Sequence, residues 1–168
     1  MRIKPFIRLI LAKIIGFLVS MLFIAVGKIG NIQFGHLTDE RIGHLVGHAD
    51  LYGRRRKLDL NNAQGKIILI SGDPCNKTIV DIMKRQLPIV QSRLLSRLYK
   101  LALPFVKKTN LIKRIPTWTC EYREFSEAVA YFTFTPEEEN RGKNNLIEMG
   151  LTSNDWFVSF HARDSAYL

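Results

Sequence analysis

Phosphate and sugar chemistry draws on arginine, histidine, aspartate and serine, and the end of this chain sets one of each within five positions: His161, Arg163, Asp164 and Ser165. Arginine stays charged, and its planar fork donates two parallel hydrogen bonds to a phosphate. The stretch Trp156 to Phe160 ahead of it is short, aromatic and β-branched, and it follows the turn-forming Thr152, Ser153, Asn154 and Asp155. That pattern predicts a buried strand of an α/β sheet. The polar residues then fall at the strand's carboxyl end, where open α/β sheets bind ligands. An Arg163–Asp164 ion pair where a strand meets a loop is the competing reading.

Two further stretches carry candidate chemistry. Arg41-Ile-Gly-His-Leu45 follows the polar Thr38, Asp39 and Glu40. A helix starting near Gly43 would let an anion or a sugar approach its amino-terminal N–H groups closely. His44 and His48 share a helix face, but no glutamate completes a His-Glu-x-x-His motif and no third ligand follows, so packed or solvent-facing histidines are expected and no metal. The second stretch, Ser71 to Thr78, has Asp73 at its tip and joins a buried strand over Gly65–Ile70 to a helix over Ile79–Gln86. It is not a P-loop: the second glycine is missing and Lys77 comes one position early. Asn76-Lys77-Thr78 fits a glycosylation sequon, which acts only on a secretory route.

These segments carry a family resemblance. Phe-His-Ala-Arg-Asp-Ser-Ala-Tyr-Leu at 160–168 resembles the His-x-Arg-Asp-Ser-x-Tyr-Leu signature of a family of bacterial glycosyltransferases associated with surface carbohydrates. Arg41–Leu45 followed by Asp50-Leu-Tyr52 is similar to that family's amino-terminal motif, and Ser71–Asn76 matches it more loosely. More remotely, His161-x-Arg163 is similar to the His-x-Arg of GT-B fucosyltransferases, whose arginine holds the donor diphosphate. The resemblance implies an α/β fold, a Rossmann-like parallel-sheet domain forming the amino-terminal half of a GT-B-like fold. It implies a nucleotide-sugar donor as substrate, a glycan or lipid-linked acceptor, and no metal or other cofactor. By the same resemblance His161, Arg163, Asp164 and Ser165 bind the donor, and Gly43, His44 and Asp73 lie on the acceptor side; no catalytic residue is assigned. Family members continue past the motif into a donor domain. The expectation is therefore the amino-terminal portion of such an enzyme, with a membrane-associating helix over 1–29 and an α/β domain over 30–168. A catalytically incomplete paralogue that binds membrane or a partner is the alternative.

Composition bounds the rest. A chain of 168 residues that is 46% hydrophobic and 24% charged suits one globular domain with a real core. Cys75 and Cys120 are too few for a disulfide framework and wrongly spaced for a metal site. The net charge of +10 is unevenly spread: nine cations and no acid lie between Asp81 and Glu121, whereas from Thr117 onward four cations face nine acids. This asymmetry points to an anionic partner, membrane lipid in the first place. Nucleic acid is the weaker choice, because no aromatic platform interleaves the cations.

The first 29 residues contain no acid, and Ile14 to Val26 is apolar between Lys13 and Lys28. Thirteen residues rise about 20 Å as a helix against a hydrocarbon core of about 30 Å, which leaves spanning and interfacial arrangements both open. A signal peptide is disfavoured, since Lys28 to His36 offers no small-x-small cleavage site. The positive-inside rule applied to a single span sends the domain outside, whereas a bacterial sugar-nucleotide enzyme belongs inside. A helix that does not cross, or one entering from the other side, reconciles the two, and the cytoplasmic face of the inner membrane is the expected location.

Among the remaining elements, Asn31–Leu37 predicts a first strand and Arg54–Lys57 a solvated helix end. Ile89–Leu103 predicts an amphipathic helix, with Arg93, Arg97 and Lys100 outward or against lipid phosphate. Trp118 is expected in the core, and Phe125–Phe134 as strand or loop. Thr135, Pro136 and Glu138 predict a capped helix that Gly150 ends.

Overall fold

The computed structural model describes residues 5–60, 66–115, 122–152 and 155–156. A three-stranded parallel sheet runs in the order β1 (Ile32–His36), β2 (Lys66–Ser71), β3 (Ile89–Gln91). On the free side of β1 the chain returns as a parallel bridge between Phe34 and Ile112. There Phe34 N donates to Leu111 O (2.7 Å) and Lys113 N to Phe34 O (2.9 Å). Gly35 permits this approach: a Cβ there would stand 3.1 Å from Lys113 O and 2.9 Å from a Leu69 methyl.

Side-chain alternation along β2 divides the core between the two sheet faces. Ile67 and Leu69 pack with Leu45, Ala49 and Tyr52 of α2 (Ile42–Lys57) and with Val80 and Met83 of α3 (Lys77–Lys84). Ile68 and Ile70 pack on the other face with Phe34, with Phe23 of α1 (Pro5–Gly30), and with Tyr99 and Ala102 of α4 (Arg93–Val106). α3 and α4 start on side-chain caps, Asn76 Oδ1 accepting from Ile79 N and Ser92 Oγ from Leu95 N, whereas α2 begins at Arg41 without one. The Asn76 amide is thus engaged as a cap.

The helix expected over Ile89–Leu103 is instead a strand followed by a helix. Ile89 and Val90 are β-branched and pair with Leu69 and Ile70, and the Ser92 cap delays the helix to Arg93. Arg54–Lys57 is not a uniformly solvated end. Arg54 is buried: its Nε donates to Asp50 (2.6 Å), its guanidinium also bonds Ala128 O, and it lies over the Phe125 ring. Arg55 Nε donates to Glu124 Oε1 (2.6 Å) in α5 (Tyr122–Glu127), so Phe125 belongs to a short helix rather than a strand. Trp118 lies outside the described residues.

One compact unit runs from the amino terminus to Thr133 and includes α1. Ser20, buried inside α1, returns its hydroxyl to Phe17 O (2.6 Å), and Asn31 at φ 49° ends the helix. The second unit begins at Phe134 and holds α6 (Pro136–Glu148). Thr135 and Glu138 close a capping box, and Gly150 at φ 88° forms the stop, with Gly150 N to Ile147 O and Leu151 N to Leu146 O. The strand expected from Trp156 is not seen at its first residue, which is non-strand and 86% exposed; 157–160 lie outside the described residues.

Candidate functional site

Parallel pairing brings the loops after β1 and β2 to one edge of the sheet, and a single aspartate joins them. Asp39 Oδ2 accepts from Ser71 Oγ and from Gly72 N, each at 2.7 Å, while Cys75 N donates to Asp39 O (2.9 Å). α4 closes the same edge, with His36 Nε2 2.8 Å from Ser96 Oγ and the imidazole stacked on Tyr99 at 5.7 Å. Burial, helped by the Lys100 charge, holds the His36 pKa below its ordinary value, so the ring is neutral near pH 7.

A cleft of roughly 400 Å³ opens beside His36, between α4 and the chain that follows the Ile112 bridge. Lys100 of α4 and Lys107 at its carboxyl cap line it on one side, Lys113 and Arg114 on the opposite wall, and Thr38 from the β1 loop; Tyr99, Leu103, Ile112 and Ile115 supply the apolar lining. No acid among the described residues lines it. Among the described residues no carboxylate pairs with Lys100, Lys107 or Arg114. Four cations converging with a hydroxyl and an apolar wall suit an anion attached to a carbon skeleton, and the volume falls within the roughly 300–1,000 Å³ of small-molecule sites.

Gly43 and His44 occupy the first turn of α2; nothing lies within 4 Å of a Cβ placed on Gly43, and His44 is exposed and stacked on His48 at 5.0 Å. Asp73 is exposed and accepts from Arg93 (2.6 Å), a hydrogen bond that lowers its pKa. Gly43, His44 and Asp73 lie on a helix start and a loop at the carboxyl edge of the sheet, the edge at which His36 and Thr38 enter the cleft. His161, Arg163, Asp164 and Ser165 lie outside the described residues. Among the described residues no three His, Cys, Asp or Glu side chains gather as a metal site.

The sequence alone assigns no function to His36, Thr38 or Asp39, places Lys100 on a basic helix face with Arg93 and Arg97, and leaves Lys107, Lys113 and Arg114 within a diffuse basic stretch. The available signal was the nine-cation run, which lacks any acid. No family model, curated protein or solved structure matches the chain.

Proposed function

We propose that this protein is a membrane-attached, glycosyltransferase-like domain that handles phosphate-bearing substrates in sugar transfer from a nucleotide-sugar. The cationic cleft, to which no described residue contributes an acid, carries the reading. Counting from β3, the order is β3, β2, β1, then the Ile112 segment, which is compatible with a Rossmann-like half-domain. The cleft opens beside the reversal of that order, with His36 and Thr38 from β1 and its loop and Lys113 and Arg114 after Ile112 facing α4, and open α/β sheets take ligands at such a reversal. In sugar transfer an acceptor oxygen bonds to the anomeric carbon as the carbon–oxygen bond to the diphosphate breaks, and the charge that develops on the leaving oxygen is stabilised by fixed cations. By motif resemblance His161, Arg163, Asp164 and Ser165 serve the donor.

The outer surface of α1 supports the membrane attachment. The helix is long and apolar enough to cross a bilayer. However, from Gly16 to Gly27 it rests on the body: Gly16 against Leu101 and Phe105, Phe23 against Phe34 and Tyr99, Gly27 against Leu111. Pro5–Ile15 beyond that contact rises only about 16 Å, half of a core about 30 Å thick. Taking all of α1 across would draw α4 in with it, at about 2.5–3.5 kcal/mol for each of Arg97 and Lys100 at the centre. α1 therefore lies along the interface, and the positive-inside conflict does not arise.

The test is calorimetric titration of the detergent-solubilised chain with a panel of nucleoside-diphosphate sugars, repeated on Arg163→Ala. Binding that Arg163→Ala abolishes supports the reading. Absence of binding to every donor overturns it in favour of a non-catalytic membrane-bound paralogue, which the apolar surface of α1 favours on its own.

A further inference from the structure

α4 is a wall shared by two features. Lys100, Leu103 and Lys107 face the cleft, while Leu101 and Phe105 meet α1 at Gly16 and Phe17. Along the described part of α1 thirteen large apolar side chains are exposed, Leu18 and Leu22 by more than 60%. A contiguous apolar surface of that extent marks an interaction site rather than ordinary solvent-facing scatter. The charge around it has one sign: no acid precedes Asp39, and none lies between Asp81 and Glu121. An apolar helix face beside a cation-rich stretch of chain suits an anionic lipid surface best.

Arg97 in α4 and Lys108 just past its end are exposed and, by helical spacing, fall on the stripe of Leu101 and Phe105 that meets α1. The cleft lines the next stripe of the same helix, within roughly one helix diameter of 10–12 Å. A molecule whose charged head fills the cleft can therefore keep its hydrocarbon in the bilayer. A freely soluble sugar phosphate needs no such arrangement.

We infer that the cleft receives the phosphate monoester or diphosphate head of a membrane lipid, gripped by Lys100, Lys107 and Arg114, with Thr38 supplying a hydroxyl. It rests on the sugar-transfer reading only in identifying that lipid as the acceptor. A terminal phosphate carries more charge and more free oxygens than the diester of an ordinary phospholipid, so a pocket of converging cations discriminates between them where a flat basic surface does not.

The experiment is flotation of the full chain with phosphatidylcholine vesicles containing either a polyprenyl phosphate or phosphatidylglycerol at matched surface charge, with and without inorganic pyrophosphate. Several-fold tighter binding to the polyprenyl phosphate vesicles is expected. Pyrophosphate should erase that preference, and so should the triple change Lys100→Gln, Lys107→Gln, Arg114→Gln, while basal attachment through α1 persists. Equal binding to the two anionic vesicles overturns the proposal, as does a preference that pyrophosphate leaves intact. The pyrophosphate arm uses the unaltered chain, so a variant that fails to fold does not blunt the test. Donor binding is read separately: lipid preference without donor binding removes only the sugar-transfer reading, and donor binding without lipid preference removes only this one.

Discussion

The Asp39 carboxylate and the Ser71 hydroxyl, 32 residues apart, meet at 2.7 Å inside the protein, and the same oxygen of Asp39 takes the Gly72 N–H. Both loops at the cleft edge therefore hang on one side chain. Removing it leaves a buried hydroxyl and a backbone donor without their acceptor, at about 1–3 kcal/mol for such groups. Asp39→Ala should lower the unfolding free energy in detergent by an amount within that range, seen as a lower denaturation midpoint, and Asp39→Asn, which keeps an acceptor oxygen, should lose less. Equal midpoints for Asp39→Ala and the unaltered chain would remove the latch.

Asp50 does similar duty midway along α2. It accepts from Arg54 Nε (2.6 Å) and from Tyr131 N (2.7 Å), and so ties the Ala128–Phe132 stretch to the helix. Both members of the ion pair are largely buried, and loss of one partner strands the other charge at a cost of about 3 kcal/mol or more. Asp50→Ala should destabilise by about that much and open 128–132 to protease before the strands are cut. Cleavage that starts elsewhere counts against the tie.

Which parts of this architecture were legible beforehand follows from range. Local signals worked: the Thr135 and Glu138 box, the Gly150 stop, and the apolar run of β2 each depend on residues a few positions apart. β3 was missed because three residues pair only when β2 is already in place, and the adjoining helical periodicity swallowed them. Arg54 was read as solvated because nothing within its own helix announces Ala128 or Phe125. The cleft failed to appear for the same reason. Lys100 and Arg114 become opposite walls only after Ile112 pairs with Phe34, which no spacing along the chain encodes.

His36 gives the fold an acid limit. Its pKa is lowered by burial first and by the Lys100 charge second, against smaller opposing effects of Asp39 and Glu40. The unfolded chain therefore binds the proton that the folded one refuses. Stability from the neutral ring is full above the ordinary value of 6.5 and is lost as pH falls below it toward the folded-state pKa. Melting temperatures followed from about pH 8 to pH 5 should fall on the acid side. His36→Gln, which can still bond Ser96, should flatten that part of the curve. An unchanged slope in His36→Gln would assign the acid loss to other groups.

The contact of α1 with α4 is the hinge on which the interfacial placement turns, and two glycines separate it from a simple propensity effect. Each stands inside a helix, where replacement by alanine gains up to about 1 kcal/mol when the site is open. Gly142 in α6 is open, with nothing within 4 Å of an added Cβ. At Gly16 the added carbon would come 2.5 Å from the backbone oxygen of Leu101, which cannot swing aside as a side chain can. Forcing the helices apart costs about 1–3 kcal/mol, which outweighs the propensity gain. Gly142→Ala should raise the melting temperature in detergent and Gly16→Ala should lower it. A rise in both would mean that α1 does not rest on α4, leaving the whole helix free to cross the bilayer and the cleft without its link to the membrane.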